Sequence, residues 1–249
     1  MVMVGRARGE LWMWSRLLYT GAAIGVTVIF LIVVFRFMEE DSWKTWNLPL
    51  AGKVIILDPG HGGPDGGAAI KGVMEKDIAL SISKKLRDYL QEQGALVILT
   101  REEDVDLAGD VSGYRARKRA DLIKRVELVN DTQADMFLSI HLNAFPSTKY
   151  SGAQTFYTLR YKENKELAQF IQAELKYNLE NTDREAKSID SVYLLKHAKK
   201  PGALVEVGFL SNATERELLT EDLYQNKLAA SIYKGVMRYF TEDEFEDKK

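Results

Sequence analysis

Apolar and polar positions follow one another along residues 52–241 in a pattern that predicts strands and helices in turn. Short continuous apolar runs are typical of buried strands, whereas apolar residues spaced three or four positions apart indicate helices. The predicted strands are 53–57, 95–99, 136–140, 155–157, 192–195 and 204–207. The predicted helices are 75–93, 114–130, 163–179 and 221–240. Because the order begins β-α-β-α-β, we expect an α/β fold, a single domain with a mixed, mainly parallel sheet flanked by helices on both faces.

The segment before this domain is a single apolar stretch. Residues 17–35 contain no charged side chain, and at about 1.5 Å of rise per residue they would span roughly 28 Å as a helix, close to the hydrocarbon thickness of a bilayer. Arginines precede the stretch, and acidic residues at 39–41 follow it. The positive-inside rule therefore predicts a cytoplasmic segment at 1–16, a transmembrane signal-anchor at 17–36 and export of the rest.

Two other structures share this apolar pattern. A buried core helix would need protein on every side. A cleaved signal peptide usually has a shorter apolar region and a cleavage site between small residues, which residues 35–38 do not offer. We therefore expect an uncleaved anchor, followed by a linker at 37–51 and, after the domain, a charged tail at 242–249. Tryptophans near both ends are expected to lie at the membrane interfaces: Trp12, Trp14, Trp43 and Trp46.

Composition narrows the chemistry that this chain can perform. There is no cysteine and there are three histidines, which excludes cysteine nucleophiles, thiolate zinc clusters and iron–sulfur sites. A zinc site must therefore combine carboxylates with His61, His141 or His197. The 34 basic and 36 acidic residues nearly balance, and no basic stripe with interleaved aromatic residues is present, so we expect no nucleic-acid partner.

Candidate functional side chains lie close to the ends of predicted strands, where open α/β sheets carry their sites. The first strand leads into a glycine-rich loop that contains His61, and the third strand leads into His141. Glu75 begins the first helix of the domain, and Glu206 lies in a late apolar strand. The loop has neither the Gly-Lys-Ser/Thr ending of a phosphate-binding loop nor a G-x-G-x-x-G fingerprint. A metal site is therefore favoured over a nucleotide site.

His61 and His141 with one carboxylate would supply three zinc ligands and leave a fourth position for water. A second carboxylate would act as general base, and the residues alone do not decide which glutamate takes which role. The structural alternatives are a turn-capping His61, a strand-end His141 and a helix-start Glu75 stabilised by the macrodipole. Glu206 is different, because an unpaired charge among apolar neighbours is costly unless a metal or catalysis explains it.

Taken together, these residues resemble the zinc-dependent N-acetylmuramoyl-L-alanine amidases of the Amidase_3 family. The resemblance covers about residues 53–240 and is carried, in order, by VIILDPGHGGPDGG, Glu75, Thr100-Arg101 with Asp104, KRVELVN, SIHLNA, SGAQTFY and PGALVEVGFLSN. It implies that His61, Glu75 and His141 are the zinc ligands and Glu206 the catalytic glutamate of a catalytic domain at 52–241. The implied reaction is hydrolysis of the amide between the lactyl group of N-acetylmuramic acid and L-alanine of the peptidoglycan stem peptide.

Three other positions near these motifs are of interest. Asn143, in SIHLNA, is a candidate substrate-binding residue. Leu142 stands where the family commonly has alanine. His197 matches no catalytic position and is expected to be a surface histidine or a contact in the substrate groove.

A catalytic domain behind an anchor resembles the germination-specific amidases of spore formers, which help to form muramic lactam in the spore cortex. This implies a membrane-anchored enzyme whose catalytic domain lies outside the cytoplasm, in the cell wall or the spore intermembrane space. Because we find no cell-wall-binding repeat, we expect another protein to localise or activate it.

Two other functions are compatible with the same residues. One is a catalytically inactive, membrane-anchored module that binds peptidoglycan, and the other is a zinc peptidase that cuts within the stem peptide. The presence of all four site residues disfavours the first, since loss of activity usually begins with loss of a ligand or a base.

Overall fold

The computed structural model describes residues 19–36 and 48–242 and divides the chain into two compact units. The first contains helix α1 (Tyr19–Arg36), whose mean hydropathy is 2.0 and of which no part is buried. This helix is long and apolar enough to cross a membrane, and the buried core helix that we considered is not observed. The predicted cytoplasmic segment, most of the linker, the four tryptophans and nearly all of the charged tail lie outside the described residues.

The second unit is built on a six-stranded sheet with a separate short hairpin. Its strands are β1 (Val54–Pro59), β2 (Ala69–Ile70), β3 (Val73–Met74), β4 (Leu96–Leu99), β5 (Met136–Asn143), β6 (Gln154–Tyr157), β7 (Lys187–Ser188) and β8 (Gly202–Phe209). Its helices are α2 (Glu75–Glu92), α3 (Tyr114–Asp131), α4 (Lys162–Leu179), α5 (Tyr193–His197), α6 (Ala213–Thr220) and α7 (Asp222–Thr241). The strand order is β4-β1-β5-β8-β6-β7, and β2 pairs with β3. All neighbours in the large sheet are parallel except β6 and β8, which confirms the predicted mixed, mainly parallel sheet.

Helices cover both faces of the sheet because the central strands are apolar on both sides. Ile55 and Leu57 of β1 enter the larger hydrophobic cluster, with α2, α4 and α7, whereas Ile56 enters the smaller one, with α3 and α5. All three side chains are completely buried. A strand buried on both faces has no alternation of apolar and polar residues, which explains its continuous apolar run.

The strand predicted at 192–195 is wrong, since these residues enter helix α5. Leu194 and Leu195 are buried, whereas Tyr193 and Lys196 are exposed. So short an apolar run cannot distinguish a strand from one turn of helix, and packing on the smaller cluster decides it. The pattern also missed α6, although Asn212 caps this helix by accepting hydrogen bonds from the amides of Thr214 and Glu215.

The compact unit begins at Leu48, ahead of the boundary that we predicted at Gly52. Leu50 is completely buried, and its amide donates to the carbonyl of Gln93 at 3.0 Å. Residues 48–51 therefore pack on the domain, beyond the end of α2.

The sheet brings three strand ends to one edge. Strands β1, β5 and β8 are parallel neighbours, with Asp58 beside Ser139 and His141 beside Glu206 in the register. The first residue of α2, Glu75, reaches the same edge, where its carboxylate contacts His141. This edge therefore gathers all four predicted site residues.

Candidate metal centre

The loop after β1 holds His61 in a backbone conformation that residues other than glycine rarely adopt. Its φ is 60°, in the left-handed region, which costs a side-chain-bearing residue free energy. Two buried arginines hold this loop in place. Arg125 donates to the carbonyl of His61 at 2.6 Å, and Arg101 donates to the carbonyl of Gly60 at 2.9 Å. These charge-assisted hydrogen bonds oppose the backbone strain and fix the position of His61.

Two glycines of the same loop make room for neighbouring side chains. A Cβ at Gly60 would lie 2.4 Å from Cε1 of His141, and a Cβ at Gly67 would lie 2.5 Å from Oε2 of Glu75. Gly67 also has a φ of 67°. The glycines therefore allow His141 and Glu75 to pack closely against the loop, a function that the glycine-rich sequence alone did not reveal.

The carboxylate of Glu75 lies between the two histidines. Its Oε1 is 3.2 Å from Nε2 of His61 and 2.9 Å from Nδ1 of His141. One ligand atom from each of these three residues lies within 4.8 Å of the other two. Glu75 is only 4% exposed and accepts hydrogen bonds from the amides of Ala68 and Leu142, outside its own helix. It is therefore a buried member of the cluster and not a surface charge at a helix start.

The charges in this cluster shift the pKa values of Glu75 and His61 in opposite directions. Burial alone would raise the pKa of Glu75, but hydrogen bonds and charge from His141 and His61 hold the pKa well below its usual range. Burial alone would lower the pKa of His61, but Asp65 and Glu75 raise it to about 9. In the metal-free protein, His61 is therefore protonated at neutral pH, and a divalent cation would take the place of that proton.

Asp65 is a site residue that the sequence reasoning placed in the loop without a role. Its Oδ2 lies 2.9 Å from Nδ1 of His61 and 3.1 Å from Nζ of Lys118, and its Oδ1 accepts from the hydroxyl of Tyr114 at 3.2 Å. A carboxylate on the second nitrogen of a ligand histidine orients the ring and sets its tautomer. A carboxylate four residues after the histidine in a tight loop was the available signal.

Glu206 lies next to His141 in the register of β5 and β8. Its Oε2 is buried and has no hydrogen-bond partner among the residues that the structure describes. Burial and the charge of Glu75 raise its pKa to about 7, although His141 and His61 act in the opposite direction. A buried carboxyl group with this pKa is suited to take up and release a proton near neutral pH.

Asn143 and His197, the two remaining residues singled out in the sequence, lie in different environments. Asn143 is half-buried at the end of β5, close to His141, and its carbonyl accepts from the amide of Leu210 at 2.8 Å. His197 is exposed at the end of α5, and its ring packs on Tyr193 with 4.4 Å between centroids. It is not a member of the His-Glu-His cluster.

The cluster fits a zinc ion by its donor set. Two imidazoles and a carboxylate are common zinc ligands, and a tetrahedral ion with bonds of 2.0–2.2 Å keeps its ligand atoms roughly 3.4 Å apart. The distances of 3.2 and 2.9 Å from Glu75 to the histidines are close to that separation. The unpartnered oxygen of Glu206 beside the cluster also fits a site that binds a further group.

Comparisons with known proteins identify relatives of this chain. The chain is 54% identical over 231 residues to the germination-specific N-acetylmuramoyl-L-alanine amidase of Bacillus subtilis strain 168, covering 92% of this chain and 98% of that protein. It is 36% identical over 194 residues to the N-acetylmuramoyl-L-alanine amidase LytC of the same strain, covering 77% of this chain and 36% of LytC.

A solved structure and a family model also match this chain. The CwlD amidase from Clostridioides difficile, in complex with the GerS lipoprotein, superposes with a TM-score of 0.75 at 46% identity, covering 77% of this chain and all of that one. Residues 55–238 match the family model Amidase_3, described as N-acetylmuramoyl-L-alanine amidase. The chain therefore belongs to the Amidase_3 family of N-acetylmuramoyl-L-alanine amidases, as the sequence motifs predicted.

Proposed function

We propose that the chain is a zinc-dependent hydrolase that cuts the amide between the lactyl group of N-acetylmuramic acid and L-alanine of the stem peptide. The observation that carries this proposal is the buried, unpartnered Oε2 of Glu206 beside the His61, Glu75 and His141 cluster. These three residues would hold the zinc ion, which when bound polarises a carbonyl group and lowers the pKa of a coordinated water.

Glu206 is the proton carrier in this mechanism. It takes a proton from the attacking water as the oxygen bonds to the lactyl carbonyl carbon, and it gives that proton to the alanine nitrogen as the C–N bond breaks. The second transfer is required because an unprotonated amide nitrogen is a poor leaving group. A pKa of about 7 allows the carboxyl group to act in both directions near neutral pH.

A buried network positions His61 for this chemistry. Asp58 accepts hydrogen bonds from Arg125, Thr100 and Ser139 at 2.6, 2.7 and 2.6 Å. Burial would raise the pKa of Asp58, but the Arg125 charge and the two hydroxyl groups lower it overall. Arg125 is thereby anchored while it donates to the carbonyl of His61. Asn143, on the same strand as His141, is proposed to contact the substrate.

We infer that the enzyme acts outside the cytoplasm on the peptidoglycan of the spore cortex, where the reaction leads to muramic lactam. The 54% identity to a germination-specific amidase supports this location. In this proposal, residues 17–36 form an uncleaved membrane anchor, residues 1–16 stay in the cytoplasm and residues 52–241 are the catalytic domain. The apolar, unburied helix α1 supports the anchor.

We also propose that a second protein localises or activates the enzyme. The CwlD amidase, which is similar to this chain, has been solved in complex with the GerS lipoprotein. A lipid-anchored partner would lie at the same membrane surface as a protein anchored by α1.

The test is digestion of cortex peptidoglycan by the full chain loaded with zinc, followed by mass spectrometry of the products. We expect free stem peptides that begin with L-alanine and intact glycan strands. Cuts within the stem peptide would identify a peptidase instead. Absence of product, with and without a lipoprotein partner, would identify a peptidoglycan-binding module.

A further inference from the structure

A pocket beside the metal centre has no role in the proposed mechanism. It lies between α3 and α5 and has a volume of about 270 Å³. Its walls are formed by Tyr114, Arg115, Lys118, Arg119, Leu122 and Tyr193. The surface of the pocket is almost wholly apolar, so its walls are the two tyrosine rings, the leucine and the aliphatic stems of the three cationic side chains. We call it the α3–α5 pocket.

The positive charge of this pocket is only partly neutralised. Lys118 pairs with Asp65 at 3.1 Å. Across residues 19–36 and 48–242, no ion pair or hydrogen bond joins the guanidinium groups of Arg115 and Arg119 to a partner, and both residues are exposed. Because they are four residues apart on α3, they lie on the same side of the helix. Two free guanidinium groups beside apolar walls are suited to a carboxylate ligand that also has apolar parts.

The pocket is separated from the metal centre by one side chain. The hydroxyl of Tyr114 and Nζ of Lys118 both contact the carboxylate of Asp65, at 3.2 and 3.1 Å. The same carboxylate lies 2.9 Å from Nδ1 of His61. The pocket lining therefore lies two side-chain contacts from the imidazole of His61, on the Nδ1 side of the ring. A peptide chain extends by at most about 3.3–3.6 Å per residue, so a peptide bound at His61 would need a few residues to cover these contacts.

We propose that the α3–α5 pocket binds the carboxylate groups of the stem peptide, which is the leaving-group side of the scissile bond. This inference rests on the proposed function. Charge decides between the two halves of the substrate. The lactyl carboxyl group is consumed in the amide and leaves the glycan side uncharged there, whereas the peptide keeps its terminal carboxylate and those of its acidic residues. Arg115 and Arg119 therefore determine specificity for an acidic peptide and fix the direction in which the substrate lies.

The kinetic test uses the full chain and two muropeptides, one with free carboxyl groups and one with the same groups converted to carboxamides. For the double variant R115Q/R119Q, we expect KM for the acidic substrate to rise about tenfold with little change in kcat, as loss of charge-assisted contacts predicts. KM for the carboxamide should not change. The matched control is K124Q/K234Q, which removes the same number of exposed positive charges outside the pocket. Lys124 pairs with Glu127, and Lys234 donates to the side chain of Asn178.

A binding measurement keeps this inference separable from the proposed function. Calorimetric titration of the full chain with free stem peptide and with its carboxamide needs no turnover, and the variant should lose affinity for the acidic peptide alone. If the wild-type chain releases no peptide, the proposed function fails while the titration still tests the pocket. Equal KM values and affinities in the wild type and R115Q/R119Q, or an equal loss for both peptides, would overturn the pocket assignment. Unchanged thermal unfolding of the variant excludes misfolding.

Discussion

Glu206 and His141 lie side by side in the register of parallel strands β8 and β5. Registered residues of neighbouring strands point to the same face of a sheet, so the sheet itself places the proposed proton carrier beside a proposed zinc ligand. Neither residue depends on a mobile loop for its position. Since β8 and β5 are almost entirely buried, this arrangement is rigid, as a preorganised site requires.

Replacement of Glu206 by Gln should abolish turnover while leaving the proposed zinc site intact. The amide cannot carry the proton, and loss of a general acid–base group typically costs about 10²–10⁴-fold in rate. The measurement is release of stem peptide together with the zinc content of the purified protein. Glu127→Gln, an exposed glutamate on α3, is the control. Turnover at the wild-type rate in the Glu206 variant would remove this residue from the mechanism.

The same variant should change how stability depends on pH. In the metal-free protein, the folded state raises the pKa of Glu206 from 4.5 to about 7, so it holds this proton more tightly than the unfolded chain does. The contribution of this proton to the free energy of unfolding is therefore fully present below pH 4.5 and is lost as the pH rises through 7. It amounts to roughly 3 kcal/mol in all. Urea unfolding with a chelator should show that Glu206→Gln gains stability over the wild type between pH 5 and 8. A constant difference across that range would contradict the prediction.

Zinc uptake should release a proton near neutral pH. Because the pKa of His61 is about 9 without metal, the imidazole must lose its proton before it can bind the ion. Zinc affinity should therefore rise by about tenfold per pH unit between pH 7 and 9 and level off above it. Calorimetry in buffers of different ionisation enthalpy measures the number of protons released. A value of zero at pH 7 would show that His61 is already neutral.

Gly67→Ala should disrupt the proposed zinc site through a single methyl group. The added Cβ would lie 2.5 Å from Oε2 of Glu75 and 2.6 Å from Cδ2 of His61, so both side chains must move. Gly72→Ala is a matched control, because Gly72 also has a positive φ, of 82°, but no atom lies within 4 Å of its added Cβ. We expect zinc binding, measured by competition with a chromogenic chelator, to fall only in the Gly67 variant. An equal effect of both substitutions would mean that backbone strain alone is responsible.

Arg125→Met should destabilise the domain and the His61 loop together. Arg125 is 2% exposed and pairs with Asp58 and Asp121 at 2.6 and 2.8 Å. Removing one partner of such buried pairs typically costs about 3–5 kcal/mol. Chemical unfolding gives the stability, and zinc titration shows whether the loop is still held. Lys124→Met, which removes an exposed partner of Glu127, should change either quantity little, and a similar loss in both variants would argue against a special role of the buried network.

Much of the fold could be predicted because local pattern and burial agree. The helices now seen as α2, α3, α4 and α7 were all expected within two residues of their observed ends. The short elements could not be predicted, since the strand β7 and the helix α5 are defined by what they pack against. The motifs named His61, Glu75, His141 and Glu206, but the residues themselves left the roles of the two glutamates open.

The sequence by itself determined the alternation of strands and helices, the apolar segment at 17–35 and the identity of the four candidate site residues. Only the tertiary structure decided that Arg125 holds the carbonyl of His61 and that Tyr193 closes the α3–α5 pocket against α3. The physical reason is distance along the chain. Helical periodicity and apolar runs are local properties, whereas these contacts join residues whose meeting depends on strand register and on the packing of helices over the sheet.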